Sequence, residues 1–201
     1  GMMLDRLLRQ HLFVSEIDGG VLRYHPLFRE FLLERYRRDQ RSAFQRTALR
    51  IAEAYAEREL WAQAFDLCLM ADDQATAGTV LARGGEQLFH QGQLATLARC
   101  FEALPLSALS ATLLCLKGRL YLSRGETQEA AALADLAQAR MRPEEAVDVH
   151  LFQAISAQSR GDYHEALAQI DEALTLSPSE EQRATALGVA VSCRNRLDEP
   201  E

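Results

Sequence analysis

Apolar residues along the chain fall mostly at helical spacing, in a succession of short stretches broken by polar turns. Residues 3–10 place Leu4, Leu7 and Leu8 on one face of a helix. Two β-prone runs, 12–14 and 21–24, then flank Asp18-Gly19-Gly20, whose glycines supply the positive φ a hairpin turn needs. Pro26 suits the first position of a helix, and PLFREFLLERYRR carries Leu27, Phe28, Phe31, Leu32 and Tyr36 as an apolar stripe. Helix, hairpin and helix together predict the closing part of a winged-helix unit over residues 1–40, truncated because the earlier helices of such a unit are absent.

From residue 41 to 201 the pattern repeats. Four turns, beginning at Glu59, Gly92, Gly125 and Gly161, lie 33, 33 and 36 residues apart. Ala52, Gly85, Gly118 and Ala154 precede them by seven residues; Ala64, Leu97, Ala130 and Ala166 follow them by five. Small residues at such places let antiparallel helices cross closely. GDYHEALAQIDEALTLSP, 161–178, resembles the second half of a tetratricopeptide (TPR) repeat, and Gly188 marks a terminal half repeat. The fold class is therefore mainly α: a winged-helix element with a β-hairpin, followed by a TPR-like α-α superhelix of about four repeats and a half.

Composition narrows the function. The chain is 48% hydrophobic with 11 Gly and 5 Pro, which excludes disorder and collagen. Residues 1–46 carry a net charge of +3 within a chain of −7, so the repeats are strongly acidic. Four dispersed cysteines, without CxxC or zinc spacing, read as buried reduced thiols in a cytoplasmic protein. No apolar run is long enough to span a membrane. Gly1 before Met2 reads as a tag scar, and the chain as an interior piece of something longer. No HExxH and no phosphate-cradling GxxxxGK[ST] occurs, and paired carboxylates such as Glu144-Glu145 and Glu180-Glu181 stand at helix starts. Ser177 with Glu180 reads as a capping box. Neither a metal site nor a catalytic site is expected; the chain reads as a binding module, not an enzyme.

RYHPLFREFLLERYR, 23–37, together with the helix through 48–55, WAQAFDLCLMADD and GEQLFHQGQLATLARCFEALP, resembles MalT-like, LuxR-family regulators of bacteria, which are signal-transduction ATPases (STAND type). The resemblance implies an ATPase module before the winged helix, repeats that bind an inducer or partner protein, and DNA contact only through a helix-turn-helix domain after them. ATP or ADP is thus implied for a full-length parent, with no cofactor in this piece. It also gives His25 a role, since a histidine opening this helix in related ATPases touches the β-phosphate of ADP. The alternative is a hairpin-end histidine capping backbone carbonyls.

Two other groups have rival readings. Arg35, Arg37, Arg38 and Arg41 either meet DNA or an acidic domain, or simply oppose a helix dipole at its solvated end. The inner face of the superhelix would present Leu49, Glu53, Ala82, Glu86, Phe89, Arg119, Leu122, Leu151 and Ile155, to bind a ligand or to pack on the next repeat. The rival to a regulator's sensor is a general TPR scaffold for a partner's peptide or helix; self-association is compatible with either.

Overall fold

The structure, a computed structural model, describes residues 14–17 and 21–198. The helix expected over 3–10 and the Asp18-Gly19-Gly20 turn lie outside the described residues. Strands β1 (Val14–Ile17) and β2 (Val21–Tyr24) pair antiparallel, with Val14 opposite Tyr24 and Ile17 opposite Val21. Of the run expected at 12–14, only Val14 lies within the described residues, and it is in β1. Pro26 opens α1 (Pro26–Asp39) at the position where its missing N–H costs nothing. A single residue, Gln40, separates α1 from α2 (Arg41–Ala56). Tyr36 packs edge-on against Phe44 at 5.7 Å between centroids, so the last turn of α1 rests on the first turn of α2.

The remainder is a series of antiparallel helix pairs: α2 with α3 (Trp61–Met70), α4 (Gln74–His90) with α5 (Leu94–Glu102), α6 (Ala111–Leu122) with α7 (Thr127–Arg140), and α8 (Ala146–Arg160) with α9 (Tyr163–Thr175). A last helix, α10 (Glu180–Asp198), packs on α8 and α9. Each pair turns at the expected place. Glu59, Gly92, Gly125 and Gly161 all take positive φ, between 58° and 84°. The N–H following each one donates to the carbonyl five residues back, as in Leu60 to Tyr55 and Asp162 to Ala157, closing the first helix with a Schellman-type bond. Glu59 holds this left-handed geometry without being glycine, a strain of roughly 1–2 kcal/mol; its carboxylate accepts from Gln87 Nε2 at 2.8 Å.

The small positions lie where the helices meet. Ala52, Ala64, Ala130, Ala154 and Ala166 are almost wholly buried. Gly118 faces the ring of Phe152 on α8, Gly85 the side chain of Leu116 on α6, and Gly84 the indole of Trp61 on α3. These glycines thus meet helices of neighbouring pairs first, rather than the antiparallel partner expected from the spacing. Cys68, Cys100, Cys115 and Cys193 are buried and unpaired, each filling core volume. Burial lifts the thiols of Cys68 and Cys100 to about 11, so neither is poised as a nucleophile.

One local expectation is corrected. The capping box of α10 is formed by Ser179 and Gln182, not by Ser177 and Glu180: Ser179 Oγ accepts from Gln182 N at 3.2 Å and Gln182 Oε1 from Ser179 N at 2.9 Å. Ser177 instead adopts φ 60° in the connection before the helix.

Gly188 differs from the crossing glycines Gly85 and Gly118, because a Cβ there would meet nothing within 4 Å. Gly188→Ala is expected to stabilise the chain by about 0.5–1 kcal/mol through helix propensity alone. Urea unfolding with an unchanged slope would measure it, and a loss of stability would show that the position is tightly packed.

Candidate functional site

A cavity of about 410 Å³ lies among the first helices of successive pairs, α4, α6, α8 and α10. Period and contact coincide in its walls. Glu86 on α4 accepts both bonds of Arg119 Nη1 from α6, at 2.7 and 2.9 Å, across 33 residues of sequence. Asp148 on α8 accepts from Gln182 Nε2 on α10 at 2.7 Å, across 34. Thr112 on α6 donates its N–H and hydroxyl to Glu145, also across 33. Residues one repeat apart therefore stack along the inner surface, and polar bonds between neighbouring first helices fix the shape of the cavity.

Of the nine inner-face residues expected from the sequence, Glu86, Arg119, Leu151 and Ile155 line this cavity. Phe89 lies behind them as a platform, with the Arg119 guanidinium 4.5 Å from its ring centroid, a cation–π contact that holds the arginine flat. Leu49 and Leu122 are half-buried against the core. Glu53 pairs with Arg83 at 3.0 Å, and Ala82 is exposed; neither lines the cavity.

Sequence reasoning missed Asp148, Phe152, Gln182, His90 and Glu181. The signal was available for the first three. Carrying Leu49 forward in steps of 33 residues passes Ala82 and gives Cys115 and then Asp148, and 34 more give Gln182. Carrying Glu53, Glu86 and Arg119 forward gives Phe152 and Thr185. The last turn spacing of 36 obscured this, because it shifts the register by one helical turn.

The floor is apolar, made by Cys115, Leu151, Phe152 and Ile155. Burial pushes the Cys115 thiol far up, and the negative charges of Asp148 and Glu145 push it further, with Arg119 opposing. That thiol is a structural group. Among the described residues no cluster of His, Cys, Asp and Glu could hold a metal ion.

The other candidates sit apart from the cavity. His25 is the N-cap residue of α1; its carbonyl accepts from Arg29 N at 2.9 Å, and its exposed side chain makes no capping bond. Arg35 and Arg38 both reach Asp39, at 3.3 and 3.0 Å, and Arg41 reaches Asp72 at 3.0 Å. The hydrogen bond from Arg38 is the main cause holding the Asp39 carboxyl below its ordinary value. Three of the four arginines therefore have local acidic partners at an exposed helix end.

Comparison with known proteins fits this layout. The MalT winged helix domain family matches residues 1–44. The HTH-type transcriptional regulator MalT of Serratia proteamaculans (strain 568) is 31% identical over 186 residues, 87% of this chain. No solved structure matches the chain significantly. Among the described residues no helix is long and apolar enough to cross a membrane. The chain is thus MalT-like, a segment matching the MalT winged helix domain followed by helix pairs, and it spans 21% of the length of that curated relative.

Proposed function

We propose that this chain is the coupling and sensing region of a transcriptional regulator, with residues 1–40 closing a winged helix and 41–201 forming a repeat superhelix that binds an inducer or a partner protein. The observation that carries the reading is the cavity: its walls come from four successive first helices, so an occupant touches several repeats at once. Binding, not catalysis, is the activity of this region. An occupant preferring one arrangement of the helices over another shifts the equilibrium between resting and active forms; without that difference in affinity it shifts nothing. The junction at Gln40, with Tyr36 seated on Phe44, supplies a short mechanical path from the repeats to the winged helix. Through it, the state of the superhelix reaches an ATPase module and a DNA-binding domain in a regulator of this kind, where His25 would face the nucleotide.

The test is a thermal-shift screen of small metabolites and candidate partner proteins. An occupant at about 100 times its Kd is expected to add about 2.7 kcal/mol of stability. Ile155→Trp, which fills the cavity from its floor, is expected to remove that stabilisation. Stabilisation that persists undiminished in Ile155→Trp would place binding elsewhere and overturn the reading.

A further inference from the structure

The cavity carries a charge imbalance that decides what it accepts. Three carboxylates line it, Glu86, Asp148 and Glu181, against one guanidinium, Arg119. Arg119 is already neutralised: Glu86 holds it with two bonds and Phe89 lies against its face. The neutral donors are largely engaged as well. The Thr112 hydroxyl donates to Glu145, the Thr185 hydroxyl to the Glu181 carbonyl, and Gln182 Nε2 to Asp148. What remains open is acceptor capacity: among the described residues the Asp148 carboxylate accepts one bond, from Gln182, and Glu181, exposed and also lining the cavity, belongs to no ion pair. Below these acceptors lies the apolar floor of Leu151, Phe152 and Ile155. An anion would meet a net negative wall. A neutral polyol would find few free donors.

We infer that the cavity binds a small organic cation, an ammonium or guanidinium group carried on an apolar body, with the charged end at Asp148 and Glu181 and the body against Phe152 and Ile155. The inference rests on the reading of the cavity as the ligand site and specifies its ligand class. A volume near 410 Å³ suits a molecule of small-metabolite size. Most of the affinity comes from burying the apolar body, and the carboxylates supply selection by charge.

The test is isothermal titration of the whole chain with three probes of one shape: 2-phenylethylamine, 2-phenylethanol and phenylacetate. The amine is expected to bind at least about tenfold more tightly than the alcohol, with phenylacetate weakest, and to weaken as salt is raised. Asp148→Asn combined with Glu181→Gln is expected to erase the preference for the amine while leaving the alcohol unchanged. Glu53→Gln, a carboxylate on α2 outside the cavity, is expected to leave all three unchanged. Binding of the alcohol or the acid as tight as that of the amine, and abolished by Ile155→Trp, would overturn the cation assignment and leave the cavity as a ligand site. Amine binding that survives Ile155→Trp would overturn both. Absence of binding by all three probes would overturn the cation assignment for this cavity.

Discussion

Gly118→Leu is expected to lower the unfolding free energy by about 1–3 kcal/mol or more, the range for overpacking a filled core. For a chain of this size that corresponds to about 2–4 °C in Tm for each kcal/mol. Gly118 lies on α6 at a close crossing, and the ring of Phe152 on α8 occupies the space a Cβ would need. Phe152 is 1% exposed, so its ring can yield only by swinging into the adjoining cavity or by displacing α8. Gly85 is a milder case, because its nearest neighbour is the flexible end of Leu116 at 2.6 Å. The ranking is therefore Gly118→Leu worst, Gly85→Leu less severe, and Gly188→Ala stabilising. A double-mutant cycle of Gly118→Ala with Phe152→Leu is expected to show a favourable coupling, since shortening the ring makes room for the new methyl. Unchanged Tm in Gly118→Leu would refute the packing of α6 against α8. Because Phe152 is also the floor of the cavity, the same substitution is expected to weaken any ligand bound there.

The fold was readable where one residue type answers one backbone demand. Three turn glycines announced left-handed geometry, and the fourth turn, at Glu59, followed from the period alone although its residue argued against it. The small residues at crossings were readable for the same reason, since only a missing side chain permits close approach. The hidden features depend on partners distant in sequence. Gly84 looks redundant beside Gly85 until Trp61, 23 residues earlier, is seen to rest on it. At the start of α10, SPSEEQ contains two overlapping cap signals; with Ser177 at φ 60°, the cap falls to Ser179 and Gln182. For the cavity, four of the nine inner-face residues read from the period line it. Arg119 was placed there too, but its neutralisation by Glu86 and its seat on Phe89 are tertiary facts that spacing cannot rank. The family resemblance, by contrast, rested on the junction at residues 23–37, where the matched winged-helix domain runs into the first repeat.

Glu145→Ala is expected to destabilise the chain by about 2–3 kcal/mol, the cost of leaving partners of a buried carboxylate unsatisfied. Glu145 is 6% exposed, at the start of α8. Its carboxylate accepts from Thr112 N and Oγ1 at 3.2 Å, and from Arg142 N and Nε at 3.3 and 3.1 Å. The Arg142 side chain is largely exposed, so that ion pair contributes little. The cost comes from Thr112, whose N–H in the first turn of α6 loses its acceptor, and from the volume left empty. Burial pushes the Glu145 carboxyl up, but the Thr112 N–H and the bonds from Arg142 together outweigh it, and the folded pKa lies below the ordinary 4.5. A depressed carboxyl contributes stability that is fully present above the unfolded value and is lost as pH falls through the folded one. The stability gap between the wild-type chain and Glu145→Ala should therefore be constant near neutral pH and narrow below about 4.5, which urea unfolding across that range would measure. Glu145→Gln is expected to fall between the two, since an amide oxygen still accepts from Thr112 but carries no charge toward Arg142. A difference within about 0.5 kcal/mol of zero, the range of an ordinary surface substitution, would show that Glu145 does not clamp α6 to α8. If it does, loosening the clamp moves Thr112 at the rim of the cavity, and ligand affinity should fall together with stability.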